Sequence, residues 1–147
     1  PKVFRLLKSG GVFALFRNNS VPAEGEETYE EIQKVYEKYY YSYYITKERP
    51  VRKSKDEFLK PSGIYKGFRF DSLEQYGFRD VIIKLYDASL TYSADEYIEL
   101  LDTFSDHRSL PVDLRVSLYE GIKEVILRYS GCHKADYIFQ LYMGRKP

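Results

Sequence analysis

The sequence predicts an α/β fold, and three features of its 147 residues predict it. Short apolar runs of strand length, Val12 to Phe16 and Val81 to Tyr86, alternate with longer stretches of helical periodicity. S/T-x-x-E/Q signatures mark helix starts at Thr28–Glu31, Ser72–Gln75 and Ser93–Glu96. Hydrophobic residues make up 44% against 31% charged, a globular composition rather than the polar, highly charged one of disorder. The length suits one domain with a core of its own.

Composition also excludes functions. The formal net charge of +1 leaves no global field to hold a polyanion, which argues against dedicated DNA binding. The single cysteine, Cys132, cannot form an internal disulfide or a cysteine-based zinc site and suits a reducing, cytoplasmic setting. No apolar run approaches the roughly 18 residues of a membrane span. There are 16 tyrosines and no tryptophan. Tyrosine joins an apolar ring to a hydroxyl that seeks a partner, so such clusters suit half-wet pocket walls and interfaces.

The elements follow in order. Val3 to Lys8 reads as the last turns of a helix, with Gly10 and Gly11 available for its left-handed stop. Val12 to Phe16 is apolar without alternation, the pattern of a strand covered on both faces. A half helix ahead of so buried a strand implies the C-terminal part of a longer protein. After a polar loop, Thr28 and Glu31 predict a helix from Tyr29, with Ile32, Val35, Tyr36, Tyr39 and Tyr43 on its inner face and Tyr41 pointing away. Pro50, the basic residues Lys47, Arg49, Arg52, Lys53 and Lys55, and Pro61-Ser62-Gly63 mark residues 45–67 as a surface loop or lid.

Ser72 and Gln75 start a short helix that Gly77 stops, with Phe78 packing just beyond it. Val81 to Tyr86 is a β-branched strand. Ser93 and Glu96 start a helix with Tyr97, Leu101 and Phe104 on its apolar face. Asp106 to Leu110 is a turn, and Pro111 opens the longest helix. Its stripe is Leu114, Leu118, Ile122, Val125 and Tyr129, and Gly131 closes it. Tyr137 to Met143 is a final strand with Gln140 among large apolar residues.

This order, with Leu6-Leu7-Lys8-Ser9-Gly10-Gly11-Val12-Phe13-Ala14 at its front, resembles the second half of class I S-adenosylmethionine-dependent methyltransferases. Tyr97-x-x-Leu100-Leu101-x-Thr103-x-Ser105-x-His107-x-x-Leu110, then Arg115-x-x-Leu118 and the closing Gly144-Arg145-Lys146, is similar to the small-molecule branch of the trans-aconitate methyltransferase type. The resemblance covers nearly the whole chain. It implies the C-terminal part of a Rossmann-like sheet: strands 5, 6 and 7 near residues 12–17, 78–86 and 136–144, in spatial order 5-7-6, with helical cap segments. It also implies S-adenosylmethionine as the cofactor of the full-length protein and a small-molecule methyl acceptor. The family's G-x-G-x-G turn and ribose-binding acid fall upstream of the matched part, so no cofactor residue carries over, and this chain alone is expected to bind no cofactor and to be inactive.

Methyl transfer needs an aligned nucleophile in a dry pocket and little else, because the cofactor carries the reactive group. His107, in the turn between cap helices, is the candidate general base, and the alternative is a helix-capping side chain. Tyr39, Tyr40, Tyr43 and Tyr44 are candidates for an aromatic wall over substrate, or for a helix face packed on the sheet. Arg108 and Arg115 are candidates to clamp a carboxylate, or structural ion-pair partners; Arg115, early in its helix, needs a partner. His133, beside Cys132, is expected in a solvated turn rather than at a metal. A second reading is a stand-alone binding module that uses the basic loop 47–55 for nucleic acid, with Tyr65, Phe68 and Phe70 as stacking platforms. Unpaired strand edges predict a homodimer.

Overall fold

The computed structural model describes residues 2–59, 73–129 and 131–147. A short helix α1 (Lys2–Leu6) leads into strand β1 (Val12–Val21). Helix α2 (Glu27–Tyr36) continues into one π-helical turn, Glu37–Tyr41, and a short α3 (Lys55–Leu59) follows. A 3-10 turn (Leu73–Tyr76) precedes strand β2 (Arg79–Ser93). Helices α4 (Ala94–Asp102), α5 (Ser105–Arg108) and α6 (Val112–Tyr129) precede strand β3 (Cys132–Arg145). The class is α/β.

The three strands make one sheet in the order β1-β3-β2, with the last strand in the middle. Both pairings are antiparallel. Gly10 N–H donates to Lys146 O at 2.9 Å, while the Asn19 amide reaches Ile138 O at 3.1 Å, so β3 runs backward along β1. Asp80 faces Arg145 and Ser89 faces Asp136, as many residues forward along β2 as back along β3.

The chain divides into two compact units. The sheet unit comprises Pro1–Val21, Lys53–Ala88 and Tyr137–Pro147. Its core is Leu73, Phe78 and Tyr142, flanked by Phe4, Leu7, Phe13 and Leu15. Gly77, at φ +91°, stops the 3-10 turn and brings Phe78 inward, where its ring meets Phe4 edge-on at 5.0 Å. Beneath it Gln140 is buried on the central strand. Its amide nitrogen donates to Phe58 O at 2.8 Å and its oxygen accepts from Asn19 at 3.0 Å, so its burial is compensated.

The helical unit comprises Pro22–Arg52 and Ser89–Asp136. Its core runs from Ile32 and Tyr40 through Leu101 and Leu110 to Leu118, Ile122, Val125 and Ile126. The capping box at the start of α4 forms as read: Ser93 Oγ accepts from Glu96 N–H, and the Glu96 carboxylate accepts from Ser93 N–H at 2.7 Å.

Several expectations need correction. β1 is not covered on both faces. Phe13 and Leu15 pack inward, whereas Val12 and Phe16 are exposed, Phe16 by 77%, because a strand of period two sends consecutive apolar residues to opposite faces and the core above meets one of them. Helix α2 starts at Glu27 with Glu26 as an extended N-cap and no side-chain cap bond. Thr28 therefore lies inside the first turn, and Glu30 instead accepts from Gly25 N–H at 3.1 Å. Residues 105–108 wind into α5 rather than a plain turn. Tyr129 is exposed, and Ile126 takes its place in the α6 stripe. Ser72 of the second capping signature, residues 60–67 of the expected loop, and Tyr65, Phe68 and Phe70 lie outside the described residues.

Candidate functional site

The helical unit brings tyrosines, a lysine, an aspartate and a histidine together where α2 ends. A regular helix continued from Ile32, Val35 and Tyr36 carries Tyr39 and Tyr43 inward. The π turn Glu37–Tyr41 adds a residue to that turn and shifts the inward position by one, so Tyr40 is buried while Tyr43 is exposed. Tyr41, expected to point away, is half-buried against the core with its hydroxyl 3.5 Å from Gln33 Oε1. Tyr39 is half-buried, with the Lys38 ammonium 4.7 Å above its ring.

Opposite them, α5 sets Asp106 and His107 side by side with different surroundings. The Tyr40 hydroxyl donates to Asp106 Oδ2 at 2.6 Å, and the Tyr44 hydroxyl donates to the Asp106 carbonyl at 2.7 Å. The Lys47 ammonium pairs with Asp106 Oδ2, donates to the Tyr40 hydroxyl at 2.5 Å, and sits 5.0 and 4.8 Å from the Tyr40 and Tyr44 ring centres. Partial burial alone raises the Asp106 pKa, but hydrogen bonds from Lys47 and Tyr40 outweigh it and bring it down to about 2. It is a carboxylate at any working pH.

His107 turns the other way and is 97% buried, with a relative exposure of 3%. Four rings surround it: Tyr40 at 5.2 Å, Tyr36 and Phe104 at 5.7 Å, and Tyr119 at 6.0 Å. Its Nε2 lies 3.4 Å from the Tyr36 hydroxyl, while its Nδ1 is buried with no hydrogen-bond partner. Burial lowers the imidazole's pKa, against the opposing pull of Asp106, so the ring is held neutral. Burial raises the pKa of Tyr36 and Tyr40, and that of Tyr119, whose hydroxyl reaches Asp102 at 3.3 Å, to about 12. Tyr40 and Tyr119 donate to carboxylates, and His107 is a neutral imidazole among these rings. Tyr119 also lines an open cleft of about 320 Å³ between α4 and α6, with Ile98, Asp95, Glu99, Glu120 and Lys123.

The other candidates are placed as follows. Arg115 has its partner: Nη1 donates to the Arg108 carbonyl at 3.1 Å, which closes the C-terminal end of α5. Arg108 itself is exposed. His133 is not in a solvated turn. It is buried at the start of β3 with its ring 4.3 Å from Tyr97, because the strand begins earlier than its apolar run suggested, and burial lowers its pKa. In the basic segment Lys47 pairs with Asp106, Arg49 with Glu30 at 2.7 Å and Lys55 with Asp87, so these cations face carboxylates of their own chain. Among the described residues no three His, Cys, Asp or Glu side chains gather as metal ligands, and no helix is long and apolar enough to cross a membrane.

Sequence reasoning found His107, Tyr40 and Tyr44 but missed Lys47, Asp106, Tyr36 and Tyr119 as one constellation. Lys47 was hidden in a basic run, and Asp106 in what read as a turn. No family model and no curated protein matches this chain.

Proposed function

We propose that this chain is the C-terminal part of a class I S-adenosylmethionine-dependent methyltransferase acting on a small molecule, and that it contributes late sheet strands and a helical substrate cap. The observation that carries the reading is the strand order β1-β3-β2 with an antiparallel last strand in the middle, the order 5-7-6 that the resemblance implies. Helices inserted after β1 and after β2 supply the cap, and the neutral, ring-enclosed His107 is its proton acceptor. Tyr36, Tyr40 and Tyr119 exclude water around that imidazole and keep it neutral.

The glycine pair Gly10-Gly11 does not fit the cofactor. Gly10-Gly11 is a pair of glycines at a helix-to-strand turn, but a Cβ on Gly11 meets the Lys8 carbonyl at 2.9 Å, so that turn makes room for its own backbone. Gly10, at φ +77°, is the third residue of the turn that Gly11 N–H closes on the Lys8 carbonyl, beyond the end of α1 at Leu6. On this reading the cofactor site lies in the upstream part that the resemblance implies.

The test compares residues 1–147 with the same residues joined to their natural upstream coding sequence, using labelled S-adenosylmethionine. The extended polypeptide is expected to bind it saturably and pass the label to a small-molecule acceptor, and residues 1–147 to do neither. Failure of the extended polypeptide to bind, or stoichiometric binding by residues 1–147, overturns the reading. We also propose that an outer strand, β1 or β2, pairs with a second copy of the chain; a monomer by light scattering at micromolar concentration overturns this.

A further inference from the structure

We infer that residues 42–52 form a lid, carried on the π turn Glu37–Tyr41, that opens to admit a ligand to His107. The inference rests on the reading of His107 as the proton acceptor of the site.

The first support is how the segment is fastened. None of residues 45–52 is buried, and its two large apolar side chains, Ile45 and Val51, point to solvent with 87% and 71% exposure. Tyr44 anchors the start of the segment, its ring 5.0 Å from Tyr40 at the edge of the core and its hydroxyl on the Asp106 carbonyl; beyond it the fastenings are polar: Lys47 to Asp106 and Tyr40, Arg49 to Glu30, and Arg52 N–H to Glu24 Oε1 at 2.8 Å. Contacts of this kind contribute little each and exchange readily with water, in contrast to the apolar packing of α2 on α6.

The second support is what lies at the fastened point. Asp106, which takes Tyr40, Tyr44 and Lys47, is the residue before His107, and Tyr40 is at once a fastening and a wall of the histidine's enclosure. In the closed form the Nδ1 of His107 is buried and unpaired, a state that costs free energy until a ligand or water reaches it. The third support is the hinge. A π turn has wider winding than the α-helix it interrupts and recurs where helices serve function.

The two histidines of the chain provide the test, since both are buried and Lys47 and Tyr44 fasten the lid on Asp106, the residue before His107. Carbethoxylation by diethyl pyrocarbonate, read by peptide-resolved mass spectrometry on the intact natural polypeptide, reports each imidazole separately and needs no enzymatic activity. Lys47→Ala is expected to speed modification of His107 by about fivefold, the scale of losing a half-exposed ion pair, and to leave His133 unchanged. Tyr44→Phe keeps the ring, removes the bond to the Asp106 carbonyl, and is expected to move His107 in the same direction. Equal acceleration of both histidines means loosening of the whole unit and overturns the lid. Unchanged His107 in both variants overturns it as well. Neither result depends on cofactor binding, so loss of the methyltransferase reading and loss of the lid are seen in different experiments.

Discussion

The helical unit and the sheet unit reach stability by different means. The helical unit has a continuous apolar core in which Leu118, Ile122 and Ile126 have no solvent exposure, with tyrosine rings packed against it. Among the described residues the sheet unit has a small cluster of Leu73, Phe78 and Tyr142, buries the polar Gln140 on its central strand, and leaves Phe16, Ile82, Tyr86 and Phe139 exposed on its strands. A helix needs one apolar stripe covered, whereas a sheet has two faces and each needs a covering layer. The difference teaches how the two kinds of element are satisfied: the helical unit buries its stripes within itself, whereas among the described residues the strands keep apolar side chains in solvent.

The contrast can be broken most forcefully at Leu118. Leu118→Ala leaves a cavity in the fully buried seam of α6 and should cost about 3 kcal/mol, lowering the urea midpoint and raising amide exchange first in α2 and α6. A uniform rise across β1 and β3 would mean that the two units do not differ in their response. Next in size is Gly144→Ala in the sheet unit. The added Cβ meets Phe78 Cβ at 2.9 Å and Cγ at 3.2 Å, against a side chain locked by Phe4 and Phe13, so a loss of about 2 kcal/mol is expected with exchange rising first in β3 and β1. No loss there would show that the small core yields freely. Ser93→Ala removes the capping box of α4 and should lower stability by about 1 kcal/mol, read as a small drop in thermal midpoint.

The smallest effect near neutrality is the response to pH, and it belongs to the helical unit, which holds both histidines. Burial lowers the pKa of His107 and His133 from the ordinary 6.5, so as the pH falls through that value the unfolded chain takes up protons before the folded one. Stability is full above it and falls below. Asp106 adds a second loss between its ordinary 3.8 and its folded value of about 2. Denaturant midpoints at roughly pH 7.5 and 5.5 should differ in that sense, and His133→Phe, which keeps a ring against Tyr97, should flatten the difference. Equal midpoints in the parent chain would contradict the burial of both imidazoles.

Much of the fold was legible in local patterns. The strands were located by apolar runs, α4 by its capping box, α6 by Pro111 and a regular stripe, and the stops at Gly77 and Gly131 by residues that adopt positive φ, whereas α1 ends at Leu6 before its glycines. The site was legible only in pieces. His107 stood out for its rarity and Tyr40 and Tyr44 for their cluster, yet the expected inner face was one residue out of register, because sequence spacing carries the period of an α-helix and gives no sign of a π turn.

The sequence by itself determined the α/β class, the number of tyrosines available and the start of α4 and the course of α6, because these follow from period, capping chemistry and backbone freedom over short stretches of chain. Tertiary structure alone decided that β3 lies between β1 and β2, that Lys47 meets Asp106 across 59 residues of chain, and that His107 is dry and His133 buried. Those outcomes depend on which surfaces meet after the chain turns back on itself. Burial, which sets both the neutral state of an imidazole and the strength of an ion pair, is a property of that meeting and of no single stretch of residues.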